Sequence, residues 1–287
     1  MTGFSGSGLR RRTAEDGTPL VIKRIAPDDF VHRAIGGTDR LAVLWHAGVL
    51  ARLPDGVSSA MISVDPDGDG WLVTMRDVER WLLPSERRVS RRDCSRILAG
   101  LRAMHDRFAG ADLPPGLCPL ATWVTCLSPP LIAPYVGESP LAAGVADRWR
   151  TFSRDAPRDV VDVVRAVHAD PQPLAEALGR QPATLVHGDV WRGNLALSPD
   201  GLVLLDWGVL TTRGPGELDV WQWWIHEGPV LEPGLDALER AAGLDGEASE
   251  LAVLAVMSQM AWLAAAEPLA GWWFDRTRLA VKRLGWP

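Results

Sequence analysis

Three polar residues at fixed spacing carry the chemistry this sequence offers. A short apolar run, Leu185 and Val186, leads into His187-Gly188-Asp189, and four intervening residues lead to Asn194. Leu195 and Leu197 then alternate, Pro199-Asp200-Gly201 reads as a turn, Leu202 to Leu205 run apolar, and Asp206 follows at once. The pattern predicts a loop, a hairpin, and a carboxylate at the hairpin's exit. Phosphoryl transfer needs such a set. A carboxylate accepts the proton of the attacking hydroxyl, and hard oxygen ligands hold Mg²⁺ on the phosphates. Asp189 suits the first role, Asn194 and Asp206 the second, and the hairpin returns the last two to the first.

Protein kinases use the same order of Asp, four residues, Asn, and a metal-binding Asp after a hairpin. The variant here, His-Gly-Asp-x4-Asn followed by Leu-Asp-Trp, resembles the aminoglycoside phosphotransferase and choline kinase superfamily of small-molecule kinases. The resemblance implies an α+β, bilobal, protein-kinase-like fold, with a small β-rich N-lobe over 1–78 and a larger, mainly helical C-lobe over 79–287. It implies ATP or GTP with Mg²⁺ as cofactors and a small hydroxylated molecule as acceptor. Gly3-Phe4-Ser5-Gly6-Ser7-Gly8 looks like a glycine-rich loop, with Ser5, Gly6 and Ser7 at the phosphates. The strand at 20–25 would bring Lys23 to the same phosphates, and Asp39 is the candidate carboxylate to pair with it. Thr74, Met75, Arg76, Asp77 and Val78 resemble the interlobe hinge and are expected to hold the nucleobase. On the acceptor side the candidates are Trp191 and Arg192 in the loop, then Trp207, Trp223, Trp224 and Glu227. Asp219 would be structural.

Other elements must position these residues. Glu15-Asp16-Gly17-Thr18 reads as a hairpin turn. Residues 38–53 show a helical face of Leu41, Leu44, Trp45 and Val49. A strand at 61–64, a turn at 65–70 and a return strand at 71–75 make a second hairpin. Its alternating acids lack the glutamate and flanking helices of a Ca²⁺ loop. Ser90 caps a predicted helix that runs to Phe108, with His105 as a packed residue. Residues 110–156 read as Pro-rich and irregular. Helices follow at 159–169, 174–178, 235–243 and 247–266.

Composition sets outer limits. The 287 residues suit one large domain or two lobes, and 47 % hydrophobic residues can bury a sizeable core. The N-terminus lacks the apolar core of a signal peptide, and Cys94, Cys118 and Cys126 show no metal spacing, so a cytoplasmic protein is expected. The apolar stretch 251–266 contains Ser258 and Gln259 and is too short to span a bilayer. A net charge of −6 argues against nucleic acid as a partner. A monomer or homodimer is expected. The absence of Asp-Phe-Gly and Ala-Pro-Glu disfavours a protein kinase. From Gly208 to Ala270 ten acids face two basic residues, Arg213 and Arg240. That excess, with Trp221, Trp223 and Trp224 nearby, predicts a cationic or strongly polar acceptor such as an aminoglycoside, basic peptide or nucleoside antibiotic. Alternatives are a metabolite kinase for an amino sugar or choline-like alcohol, and a nucleotide-binding pseudokinase.

Overall fold

The computed structural model describes residues 8–84, 88–264 and 269–286. Its strands are β1 (Leu9–Thr13), β2 (Pro19–Ile25), β3 (Val57–Ser59), β4 (Met61–Asp67), β5 (Gly70–Arg76), β6 (Thr184–Val186), β7 (Leu195–Ser198), β8 (Gly201–Leu204) and β9 (Thr212–Gly214). Its helices are α1 (Phe30–Ile35), α2 (Arg40–His46), α3 (Arg91–Phe108), α4 (Leu120–Thr125), α5 (Pro129–Ile132), α6 (Pro140–Asp155), α7 (Arg158–Ala169), α8 (Gln172–Gly179), α9 (Glu217–Glu227), α10 (Leu235–Ala242), α11 (Gly246–Ala264) and α12 (Ala270–Leu284). The architecture is α+β, a small sheet lobe followed by a larger helical one.

The first lobe is an antiparallel four-stranded sheet in the order β1-β2-β5-β4. The predicted turn joins β1 to β2. Gly17 adopts φ 84°, a conformation open to glycine, and Ala14 N–H donates to Thr18 O at 2.9 Å. The register pairs Leu9 with Lys23. The β4–β5 hairpin is longer than the sequence suggests. Asp65, Pro66 and Asp67 pair with Leu72, Trp71 and Gly70, so the turn shrinks to Gly68-Asp69. Pro66 is tolerated because β4 is an edge strand.

The helix expected over 38–53 is broken. α2 ends at His46, Gly48 turns at φ 66°, and Leu50–Arg52 is a single 3₁₀ turn. The region 110–156 is less irregular than its prolines suggest. Pro129 and Pro140 stand at the starts of α5 and α6, where the missing N–H costs nothing. The predicted cap of α3 is present, with Ser90 Oγ accepting from Asp93 N–H at 3.1 Å.

In the second lobe, β7 and β8 form the predicted hairpin, and β3 joins it in parallel in the order β3-β8-β7. A segment on the N-lobe side of residue 78 thus pairs with the catalytic hairpin. β6 and β9 form a separate antiparallel pair. α11 is apolar on all sides, and every residue from Leu251 to Ala261 is buried, so it is a core helix. It packs against α9, α12 and α6. Among the described residues no helix is long and apolar enough to cross a membrane.

Candidate active site

The loop after β6 is held from below by α9. Asp219 is fully buried and takes three donors with its two oxygens. His187 N–H reaches Oδ2 at 2.9 Å, Gly188 N–H reaches Oδ1 at 2.8 Å, and His105 Nε2 lies 2.9 Å from Oδ2. Gln222, one turn along, accepts from Val190 N–H at 2.7 Å and donates to Gly188 O at 2.7 Å. Its amide also meets Gln259 of α11, which donates to Trp123 O at 2.9 Å. The backbone of 187–190 is therefore fixed on both sides of Asp189. Gly188 adopts φ 83°, and a Cβ there would lie 2.1 Å from Leu210 O, so this position needs glycine.

His187 is buried and braces the loop. Nε2 lies 2.8 Å from Leu205 O, Nδ1 accepts from Asp189 N–H at 3.3 Å, and the ring meets Trp207 edge-on at 4.5 Å. Burial lowers its pKa, which keeps the ring neutral with one nitrogen donating and one accepting. Trp207 is 2 % exposed and donates to Leu204 O at 3.0 Å.

Asp189 stands at the lip of this frame, partly buried. Burial, and next the charge of Asp206, push its carboxyl up to about 7. Asn194 Nδ2 donates to Asp189 Oδ2 at 2.8 Å and to its carbonyl at 2.9 Å. The amide nitrogen is thus engaged, and the amide oxygen is the atom left for a cation. Asp206 follows the hairpin with φ 57°, a left-handed conformation that costs a non-glycine residue ~1 kcal/mol or more. Lys23 Nζ pairs with its Oδ1. Burial pushes the Asp206 carboxyl up, but the charge and hydrogen bond of Lys23 outweigh it and hold the group below its ordinary value. Asp189, Asn194, Asp206 and Lys23 thus converge, although Lys23 lies 183 residues from Asp206 in the chain.

The donor set fits a hard cation. Asn194, through its amide oxygen, and Asp206 present hard oxygen ligands, and among the described residues no cluster of three or more His, Cys, Asp or Glu forms a self-sufficient metal cage. Mg²⁺ is usually held in that way, by one or two carboxylates, with phosphates and water completing its shell.

Several predicted contacts are placed elsewhere. Asp39 does not pair with Lys23, because its Oδ1 accepts from Trp71 Nε1 at 2.9 Å. Thr74 and Met75 lie in β5, which pairs along both edges, and Arg76 and Asp77 N–H donate to Ala60 O and Pro19 O. The backbone from Thr74 to Arg76 is thus taken up by the sheet, which leaves Asp77 and Val78 as the part of the expected hinge beyond it. Met75 packs on a small apolar cluster of Ala60, Val78, Ala196 and Val203 that joins the two lobes. Glu227 is 2 % exposed and bound by Arg192, whose Nε donates at 2.7 Å, so it offers no open carboxylate. Arg192 also donates to Pro84 O at 2.6 Å. Trp223 and Trp224 are fully buried, and Arg276 lies over Trp221 at 5.0 Å. These rings are core rather than pocket wall, and so is Trp207. Trp191 is half-buried, with its ring 6.2 Å from His226. Ser5, Gly6 and Ser7 lie outside the described residues.

Sequence reasoning missed Gln222 and Gln259 as supports of the loop. The signal for the two glutamines was available, as each interrupts an apolar run in a buried helix.

No protein-family model and no curated protein matches the chain. Among solved structures, the choline kinase LicA from Streptococcus pneumoniae matches at 14 % identity and a TM-score of 0.53, over 99 % of this chain and 92 % of that one. A thermostable mutant of the aminoglycoside phosphotransferase APH(4)-Ia, in its apo form, matches at 14 % identity and a TM-score of 0.49, over 99 % of this chain and 97 % of that one. The likeness to the choline kinase shows the fold, which is bilobal and protein-kinase-like, as the sequence predicts.

Proposed function

We propose that the protein is an ATP- or GTP-dependent phosphotransferase that phosphorylates a hydroxyl group of a small molecule. One observation carries this reading. Asp189, its carboxylate aimed by Asn194, converges with the Lys23–Asp206 pair, and burial raises its pKa. A general base works best with a pKa near the working pH. A purely binding site has no use for a carboxylate kept at that cost.

In this reading Asp189 accepts the acceptor's hydroxyl proton as the oxygen attacks the γ-phosphoryl group. Asn194 fixes the carboxylate's orientation by its two hydrogen bonds. Lys23 binds nucleotide phosphate. Asp206 and the Asn194 oxygen would hold Mg²⁺, which when bound supplies charge neutralisation on the transferring phosphoryl group. The nucleobase is placed beside Met75 and Val78, at the apolar cluster between the lobes. Trp191 borders the acceptor. By the resemblance above, a hydroxylated antibiotic inactivated by phosphorylation is the leading acceptor class, with amino sugars and choline-like alcohols next.

The test is release of nucleoside diphosphate from Mg²⁺·ATP and Mg²⁺·GTP across a panel of those acceptors. Acceptor-stimulated release that disappears in Asp189→Asn supports the reading. Nucleotide binding with no release for any acceptor would instead define a pseudokinase.

A further inference from the structure

A buried histidine within electrostatic reach of the Lys23–Asp206 pair has no catalytic or binding role in the phosphotransferase reading. His32 lies midway along α1, 7 % exposed, and its buried Nδ1 has no hydrogen-bond partner among the described residues. An imidazole nitrogen removed from water without a partner destabilises the fold. Such an orphan group calls for a reason, and one reason is a partner that arrives in another state of the protein.

The position of α1 is specific. Arg40 of α2, itself buried, donates from Nη1 to Val209 O at 2.6 Å and from Nη2 to Ile35 O at 3.1 Å. Ile35 ends α1, three residues past His32, and Val209 lies three residues past Asp206. The guanidinium crosses Gly37 so closely that a Cβ there would lie 2.2 Å from Cζ. Arg40 thereby fastens α1 to the loop that carries Asp206. His32 lies within electrostatic reach of both Lys23 and Asp206. Burial lowers its pKa and outweighs the charges of Asp29 and Asp206, which raise it, with Lys23 and Arg40 acting alongside burial, so the ring stays neutral and keeps an acceptor nitrogen.

Lys23 has a matching need. Among the described residues its one ion-pair partner is Asp206, while Asp39 of the neighbouring helix is engaged by Trp71. On the phosphotransferase reading, on which this inference rests, Asp206 is also a metal ligand. As Asp206 turns to the metal, Lys23 needs a second acceptor to keep its ammonium aimed at the phosphates. We propose that His32 is a positioning residue for Lys23, its unpartnered nitrogen accepting a hydrogen bond from the ammonium while Asp206 is engaged as a metal ligand. In protein kinases the helix glutamate holds the corresponding lysine as an ion pair. A neutral acceptor holds the lysine more weakly than a carboxylate would, but leaves its full charge to the phosphates.

The experiment measures binding of Mg²⁺·ATP and Mg²⁺·GTP by calorimetry without acceptor, together with Tm. His32→Phe keeps a planar ring and removes the acceptor nitrogen, while His32→Gln restores an acceptor. The expected result is nucleotide binding weakened about tenfold in His32→Phe, with Tm unchanged or higher, and binding within about threefold of wild type in His32→Gln, since a hydrogen bond to a charged group has that order of effect. In a Lys23→Ala background His32→Phe should produce no further loss. Unchanged nucleotide affinity in His32→Phe overturns the proposal. So does an equal loss with and without Lys23, which marks a structural role. His32→Leu makes the same comparison where His32→Phe does not fold. Wild-type protein that binds neither nucleotide overturns the phosphotransferase reading, and the role of His32 with it.

Discussion

Asp189 joins two demands that oppose each other. As a base it must keep a pKa near the working pH, and the protein achieves this by burying a carboxyl next to a second one, Asp206. In the unfolded chain the same carboxyl ionises near its ordinary 3.8, and in the folded protein near 7. Between those values unfolding releases the proton, so this group's contribution to stability falls as pH rises from about 4 to about 7, and stays low above 7. Asp189→Asn removes that cost and keeps the shape. The variant should melt at least about 2 °C above wild type at pH 8, with the difference shrinking toward pH 4, since ~1 kcal/mol moves Tm by 2–4 °C at this size. Its turnover should fall ~100-fold or more while nucleotide still binds. Calorimetric melts at both pH values and a single-acceptor rate check the pair of effects. A variant that melts lower at pH 8 and keeps a tenth of the rate would break the assignment. In wild type, kcat/KM should rise with pH and level off above about 7, because only the ionised carboxylate accepts a proton. Asn194→Ala and Asp206→Ala should each raise the Mg²⁺ concentration for half-maximal rate, and an unchanged Mg²⁺ titration in both would place the ligands elsewhere. These residues were legible because phosphoryl transfer fixes their types and local spacing. Lys23 was legible as a lysine in an apolar strand, whereas its pairing with Asp206 spans the chain and no local pattern carries it.

At the scale of elements, the catalytic loop is a passenger on α9. Asp219 and Gln222 sit on one face of that helix and clamp the backbone at His187, Gly188 and Val190. Asp219→Ala strands two buried N–H groups, at ~1–3 kcal/mol each, so a loss of roughly 2–6 kcal/mol is expected by urea unfolding. Gln222→Leu keeps the volume and removes the clamp on either side of Asp189. It should lower kcat about tenfold or more, because Gly188 and Val190 are then free to shift the base by a fraction of an ångström, with a loss of stability of similar size to that of Asp219→Ala, since Val190 N–H, Gly188 O and the Gln259 amide oxygen lose their buried partner. Equal kcat in Gln222→Leu would show that Asp219 alone fixes the loop. The sequence around Gln222, Trp221-Gln222-Trp223-Trp224, invites a reading as an aromatic wall. The physical signal lay in the one polar residue, since a buried glutamine in an apolar helix must find partners. Helix boundaries were less legible where prolines sit. Pro129 and Pro140 read as breakers, yet each occupies the start of a helix, and composition alone does not separate a breaker from a starter.

At the scale of the molecule, charge counted along the chain is a poor guide to charge in space. The acidic excess from Gly208 to Ala270 stops short of α12, which carries Arg276, Arg278, Lys282 and Arg283. Arg276 pairs with Glu239 and Glu250, Arg283 with Glu250, and Arg192 with Glu227. Asp219 is engaged by the loop and His105, Glu232 accepts from Arg91 N–H at 2.6 Å, and Asp236 accepts from Trp272 Nε1 at 2.7 Å. The tryptophans that were to supply cation–π contacts are core, and the cation over Trp221 is the protein's own Arg276. Folding has therefore matched most of these acids with partners that lie outside the window or on other elements. Arg192, Arg276 and Arg283 offset three of the eight negative charges counted along the chain, while neutral N–H donors fix the other carboxylates in place, so the field over the acceptor side is weaker than that count implies. A charged acceptor steered by the whole lobe would show a KM that climbs steeply with ionic strength, as screening shortens from ~30 Å at 0.01 M to ~10 Å at 0.1 M salt. Here KM for the acceptor is expected to change by less than about twofold over that range, for charged and uncharged acceptors alike, with kcat level. Steady-state kinetics at the two salt concentrations, with the nucleotide saturating, decide the matter. A several-fold rise confined to cationic acceptors would show that acids around the cleft act together after all, and the first residue to neutralise would be Glu217, in the first turn of α9.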